Sequence, residues 1–370
     1  MIPVSEPVLD EADFLAITSA FRRGEISGSF GDSVPEFERV FSSYCGVKHG
    51  VAVSSGTTAL HLAVAATPIA AGDEVLVSSL TNIATALSVI HNGAVPVPVD
   101  SEGETWNLDL DRLEALITPR TRAVIPVHIY GHPVDMDRLC ELAEKHRLIV
   151  IEDCAQSHGA TCRGRLTGSF GQMGCFSFYA NKVITTGEGG MVITDDDALA
   201  SRLRLLRNLA YSEPRFFHEV AGYNFRMTGL QAAMGTSQTS RLESIIRNKR
   251  RVAETYNQLL ADVSWLQRPT EAPWARNVYW MYAVSVREGF GRKRDEIRQR
   301  MRIAGVDTRT FFCPMNQQPC VRRVPGYHDV DCRVADGLWT SGFYLPSTSN
   351  LTSDAIEVVA KTLIEAGGGR

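Results

Sequence analysis

Between residues 50 and 195 the chain repeats one pattern: a short, nearly continuous apolar run, then a stretch with helical periodicity. "GVAVSS", "EVLVSS", "PVPVD", "RAVIPVHIYG" and "LIVIED" read as strands. "TTALHLAVAA", "TNIATALSVIHNG", "LDLDRLEALI" and "DMDRLCELAEKH" read as the helices between them. Strands apolar on both faces, alternating with amphipathic helices, predict a mostly parallel sheet covered on both sides, an α/β fold. In the last helix Met136, Leu139, Cys140 and Ala143 share a face, and Asp135 is placed to cap the N-terminus. "CFSFYAN" and "GMVITD" follow each other without a full helix between them, so part of the sheet is expected to be antiparallel.

The chain has 370 residues, more than the roughly 250–300 at which single cores stop growing. A long helical region beginning at "TGLQAAMG" is expected to join two domains. Beyond it come "WMYAVSV" (strand), "RKRDEIRQRMRIAG" (helix), "VDTRTFF" (strand) and "DAIEVVAKTLIEA" (helix), a smaller α+β pattern. The expected division is 1–245, a large cofactor-binding domain, and 246–370, a small C-terminal domain. The closing "GGGR" is expected to be disordered.

A net charge of −4 gives no long-range attraction for nucleic acid or anionic membrane, so neither is an expected partner. The basic run "IRNKRR", ending at Arg251, reads as a solvated helix face. Eight cysteines without a Cys-x-x-Cys pair read as small buried thiols in a reducing compartment, and no metal site is expected. The N-terminus lacks a basic-then-apolar leader, and no apolar run approaches the ~20 residues of a membrane span, so the expectation is a cytoplasmic protein.

Chemistry is expected at the carboxyl ends of the strands, where ligands of open α/β sheets gather. "SSGTTAL" ends a strand and opens a helix. Gly56 permits close backbone approach, and Thr57 and Thr58 set hydroxyls beside unpaired N–H groups, which suits a phosphate; a plain cap by Thr57 fits equally well. "VIEDCAQSHGA" puts Glu152 and Asp153 after an apolar strand. An acid there can hold a protonated heteroaromatic nitrogen, bind a metal, or cap a turn; Gln156 and His158 lie just downstream. "SFYANKVITTGEGGMVITD" sets Lys182 five residues after Ser177 and before Gly187, Gly189 and Gly190. A P-loop needs its glycines before the lysine, so this is not one. A desolvated lysine loses basicity and can bond to an aldehyde. "GYNFRMTGLQAA" adds Asn224 before a helix. A phosphate site, an acid at a strand end, then a buried lysine is the set that pyridoxal 5'-phosphate requires.

The chain resembles the DegT/DnrJ/EryC1/StrS family of sugar aminotransferases, which have the fold-type-I aminotransferase architecture. The stretches that carry the resemblance are "FERVFSSYCGVKHGVAVSSGTTALHLA", "GDEVLV", "IEDCAQSHGA", "FSFYANKVITTGEGGMVITDD", "GYNFRMTGLQAAMG" and "ADGLWTSGFYLPS". "TWNLDLDRLEALITPRTRAVIPVHIYGHPVDMDRL" and "DTRTFFCPMNQQP" look similar to enzymes that aminate C4 of GDP-4-keto-6-deoxymannose. The resemblance implies that Lys182 bonds to the cofactor and shuttles the proton, Asp153 partners the ring nitrogen, and Gln156 lies near the phenolic oxygen. Gly56, Thr57 and Ser177 bind the phosphate, and Asn224 reaches the phosphate of the neighbouring subunit, so a homodimer with shared sites is implied. The implied reactants are a nucleotide-linked keto sugar and L-glutamate, and the product an O-antigen or antibiotic sugar. Related dehydratases carry histidine where this chain has Lys182. The alternatives are an aminotransferase for another nucleotide keto sugar, dTDP- or UDP-linked and aminated at C3 or C4, and then a dehydratase or a cofactor-binding regulator. Relatives usually place a ring-stacking aromatic where this chain has Asn82. Asn82, Arg309 and Phe312 are the candidate sugar-site residues, with core packing as the other reading of Phe312 and a surface ion pair that of Arg309.

Overall fold

The computed structural model describes residues 1–214 and 216–369. The alternating apolar runs fold as β1 (His49–Val53), β2 (Glu74–Ser78), β3 (Val95–Val99), β4 (Thr121–Ile125) and β5 (Ile149–Asp153). A small hairpin, β6 (Thr161–Cys162) and β7 (Arg165–Leu166), precedes β8 (Met173–Ser177) and β9 (Gly190–Thr194). Seven of these form one sheet in the order β1-β9-β8-β5-β4-β2-β3. The pairs β2–β3, β2–β4, β4–β5 and β5–β8 are parallel, whereas β9 runs antiparallel to both β8 and β1. The reversed strand is the "GMVITD" segment, in keeping with the missing helix before it.

Residues of successive strands alternate between two apolar layers. Val75, Val77, Ile125, Ile151 and Val192 face one layer. Leu76, Val97, Val124 and Val150 face the other. Both faces are therefore covered, which is why the runs read as unbroken apolar stretches rather than alternating ones.

The C-terminal part builds β10 (Leu266–Gln267), β11 (Ala275–Arg276), β12 (Tyr282–Val286), β13 (Arg309–Thr310) and β14 (Gly342–Leu345). Four of them form an antiparallel sheet, β10-β12-β14-β13, while β11 joins the small β6–β7 hairpin. Helix Leu242–Leu259 spans the two cores. Leu242, Ile245 and Ile246 pack with the first, and Val252, Ala253 and Tyr256 with the second. Residue 246 thus lies inside a helix, and Ile2 pairs with Val306 of the C-terminal part.

Four local expectations are corrected. Asp135 makes no cap; its carboxylate is taken by Arg163 (Nη1–Oδ1 2.7 Å). "VDTRTFF" is a strand only at Arg309–Thr310. In the basic run Lys249 is buried, not solvated, and donates to the Ser347 carbonyl at 2.7 Å. Of the glycine tail, Gly367 ends helix Ser353–Gly367 and the Gly369 carbonyl accepts from the Trp265 indole at 2.9 Å; Arg370 lies outside the described residues. All eight cysteines are free thiols. Among the described residues no helix is long and apolar enough to cross a membrane.

Candidate active site

Glu152 and Asp153 are neighbours at the end of β5, and a strand sends consecutive side chains to opposite faces. Glu152 is wholly buried. Its carboxylate accepts from the backbone N–H groups of Gly168 (2.7 Å), Phe170 (2.7 Å) and Gly171 (2.8 Å), and lies 3.2 Å from His128 Nε2. It anchors the turn that leads into β8. His128, Glu152 and Cys154 offer a possible metal-ligand cluster among the described residues. The Val134 N–H, however, donates to His128 Nδ1, so the imidazole and the carboxylate are already committed to protein partners.

Asp153 faces the other way. It is buried, accepts from Thr85 Oγ1 (2.8 Å, to Oδ2) and from the Ala155 N–H (3.1 Å, to Oδ1). Burial pushes its pKa up, opposed by those two hydrogen bonds and by the charge of Lys182.

The helix after β1 is capped by Ser55, not Thr57. Ser55 Oγ accepts from the Thr58 N–H (3.1 Å), and Thr58 Oγ1 accepts from the Ser55 N–H (3.0 Å), a reciprocal capping box. The Thr58 hydroxyl is therefore committed to its own helix start. Gly56 and Thr57 N–H find no acceptor among the described residues, and Thr57 is exposed. Ser177, at the end of β8, lies directly against this start: a Cβ on Gly56 would sit 2.5 Å from the Ser177 Cβ. A Cβ on Gly190 would sit 2.2 Å from the Ser55 carbonyl oxygen, so β9 is also pressed onto the turn. Two glycines thus let three backbones close into one cradle beside the Ser177 hydroxyl.

Lys182 lies on the loop between β8 and β9. Its N–H donates to the Tyr179 carbonyl (2.9 Å), and the Thr185 hydroxyl and Thr186 N–H both bond the Phe178 carbonyl (3.0 and 2.9 Å). The side chain is partly open to solvent but surrounded by protein. This desolvation lowers its ammonium pKa to about 8, while the Asp153 carboxylate works the other way. Its Nζ sits 4.3 Å from the centroid of the Trp280 ring. His158 is fully buried among Phe41, Phe176 and Phe178. Desolvation, followed by the charge of Lys182, drives its pKa down to about 3, so it is neutral.

Gln156 Oε1 accepts from the Tyr130 N–H at 2.8 Å, leaving its amide N–H groups for another acceptor. Tyr130 has a left-handed φ of 52°, unusual for a bulky residue. Its ring stacks on Phe312 (5.9 Å, 8°) and on Trp280 (6.4 Å, 11°). Phe312 is half-buried in this stack, packed against the core through Tyr130. Arg309 is exposed and has no ion pair among the described residues. Asn82 is exposed and accepts from the Ala84 N–H (3.0 Å) at the start of helix Ala84–Ile90. Asn224 is exposed too, in a backbone bridge with Asn208. The segment "RNLAYSEPRFFHE" beside it includes Arg215, outside the described residues.

Sequence reasoning missed Thr85, Tyr130 and Trp280. Thr85 lay hidden in a helical run and Trp280 in the strand "WMYAVSV". The "YG" of "HIYGHP" was a turn signal at Tyr130 that a strand reading passed over.

A mostly parallel seven-stranded sheet, with a buried acid on a central strand and a desolvated lysine on the loop after the adjacent one, is the fold-type-I aminotransferase arrangement. The acid, the amide, the cradle at Gly56 and the lysine fit the ring, phenolic oxygen, phosphate and aldehyde of pyridoxal phosphate. The profile of the DegT/DnrJ/EryC1/StrS aminotransferase family matches residues 7–364, and the chain belongs to that family. It is 44% identical over 339 residues to the GDP-perosamine synthase of Caulobacter vibrioides, covering 90% of each chain. It is 36% identical to the GDP-perosamine synthase of Escherichia coli O157:H7, covering 98% of each. The solved structure of DesV from S. venezuelae is 35% identical, with a TM-score of 0.91 and 99% of each chain covered.

Proposed function

We propose that this chain is a pyridoxal-phosphate-dependent aminotransferase that moves an amino group from L-glutamate to C4 of GDP-4-keto-6-deoxymannose. The observation that supports this substrate is the end-to-end likeness to two GDP-perosamine synthases. Lysine at position 182 supports amination over sugar dehydration.

Pyridoxal phosphate, when bound, supplies an aldehyde that exchanges oxygen for the donor's amino group and a ring that takes up an electron pair. The residues then have distinct work. Asp153, anionic and fixed by Thr85 and Ala155, keeps the ring nitrogen protonated. Gln156, its Oε1 held by Tyr130, directs N–H toward the phenolic oxygen. Gly56 and Thr57 N–H groups with the Ser177 hydroxyl hold the phosphate, and Thr58 stiffens that turn through its cap. Lys182, with a pKa of about 8, has a usable neutral fraction near pH 7. It would take up the proton from the donor's α-carbon and hold it at Nζ, and in the second half-reaction it would deliver a proton to C4 of the sugar. Arg309, Phe312 and Asn82 border the sugar nucleotide.

The protein works as a homodimer in the cytoplasm, Asn224 of each subunit reaching the other's phosphate. The exposure of Asn224, with Phe216 and Phe217 also exposed in the preceding segment, supports the shared site. Residues 1–245 carry the cofactor, and 246–370 form the smaller C-terminal domain.

The test is incubation with isotope-labelled L-glutamate and GDP-4-keto-6-deoxymannose. Label at C4 of a GDP-linked amino sugar is the expected result. Label accepted only by dTDP- or UDP-linked keto sugars would overturn the substrate and leave the reaction class.

A further inference from the structure

Among the described residues no carboxylate, carbonyl or hydroxyl bonds the side-chain nitrogen of Lys182. What it meets is a ring face: Nζ stands 4.3 Å from the centroid of Trp280. Trp280 is buried and held on two sides. Its indole N–H donates to the carbonyl of Asn181, the residue before the lysine, at 2.7 Å, and Tyr130 lies nearly parallel to it. The same ring is therefore tied both to the backbone that carries Lys182 and to the tyrosine that fixes Gln156.

An indole face attracts a cation, more strongly where water is excluded. It does so without consuming one of the ammonium's N–H bonds. A carboxylate partner would bind the proton too firmly to let it go, and no partner at all would leave a four-carbon stem free to wander. We propose that Trp280 is a positioning residue for Lys182: its ring face receives the ammonium whenever the amine is not bonded to the cofactor, fixing the nitrogen and favouring its protonated form. This rests on Lys182 being the reactive amine. Other titratable groups near the lysine are Asp153 and His158. Glu6 and Lys249 line a small cavity with it.

The test follows uptake of pyridoxal phosphate by the full chain after the cofactor has been removed. The neutral amine adds to the aldehyde carbon and water leaves, so the uptake rate tracks the neutral fraction of Lys182 across pH. Borohydride reduction and peptide mass locate the bond. Native protein should show a midpoint near the lysine's pKa of about 8. In Trp280→Leu the midpoint should fall by about one pH unit, a tenfold change in dissociation. A fluorinated tryptophan at 280 alone keeps the shape and thins the ring's negative face. It should move the midpoint the same way by less, and it decides the matter if the leucine variant does not fold. A role in packing alone would change the rate alike at every pH. A midpoint unmoved or raised in the fluorinated protein overturns the proposal. Reduction that traps no bond at Lys182 in native protein overturns the aminotransferase reading instead.

Discussion

The hydroxyl of Thr85 donates a 2.8 Å hydrogen bond to Oδ2 of Asp153, and both side chains are closed off from solvent. The pair joins the helix after β2 to the end of β5, and its hydrogen bond opposes the burial that pushes this carboxyl toward its neutral form. A hydrogen bond to a charged group contributes about 1.5–3 kcal/mol. Thr85→Val, which keeps the volume, should therefore weaken cofactor retention by about 10- to 100-fold. The loss should deepen as pH falls, because the less supported carboxyl takes up its proton at a higher pH. Thr85→Ser should restore binding. Equilibrium titration with pyridoxal phosphate at several pH values checks this.

The contact between Gly56 and Ser177 makes a second test. A Cβ at position 56 would lie 2.5 Å from the Ser177 Cβ and 3.1 Å from its Cα. Gly56→Ala should push the helix start off β8 and lower cofactor affinity at least tenfold, although alanine is the better helix former. Adding Ser177→Gly removes the nearer clash. The double variant should then bind no worse than Ser177→Gly alone, a coupling that a double-mutant cycle reads directly.

Glu152 should matter for folding rather than chemistry. Its carboxylate gathers three backbone N–H groups that have no other acceptor among the described residues. Glu152→Ala strands those donors in the interior, where each costs about 1–3 kcal/mol. Denaturant unfolding should show a loss on the order of 3–5 kcal/mol, while the absorbance of bound cofactor in the folded fraction stays unchanged.

Lys249 predicts a pH signature. Burial pushes its ammonium pKa down to about 7, below the ordinary lysine value. Between those limits the unfolded chain binds the extra proton, so this residue makes stability rise with pH. Below about pH 7 the cost of the buried charge is fully present. Lys249→Met should flatten that slope, with its gain over native protein largest at low pH and fading toward pH 10. Thermal unfolding of the two proteins across pH 6–10 compares them.

The sheet was legible because each strand is buried on both faces and so reads as an unbroken apolar run. Glu152 and Asp153 show where that legibility ends. Their position at a strand end was plain, but which of two adjacent acids faces the site depends on the pleat and on where the 168–171 turn folds back. Asp135 looked like a cap and lost that role to Arg163, a partner 28 residues away in the chain. Lys249 sat in a basic run, yet helix Leu242–Leu259 turns it inward onto the Ser347 carbonyl. Trp280 came from the far side of the chain to meet Lys182. Contacts of this kind, set by tertiary packing, leave no periodic trace in sequence.

The most direct test of the central claim, that Lys182 is the amine on which transamination turns, is the absorbance spectrum of the protein with pyridoxal phosphate before and after L-glutamate, with Lys182→Ala alongside. The native protein should show a long-wavelength band that glutamate bleaches and GDP-4-keto-6-deoxymannose restores; the alanine variant should show neither the band nor the response. A band that persists unchanged in Lys182→Ala would contradict the account.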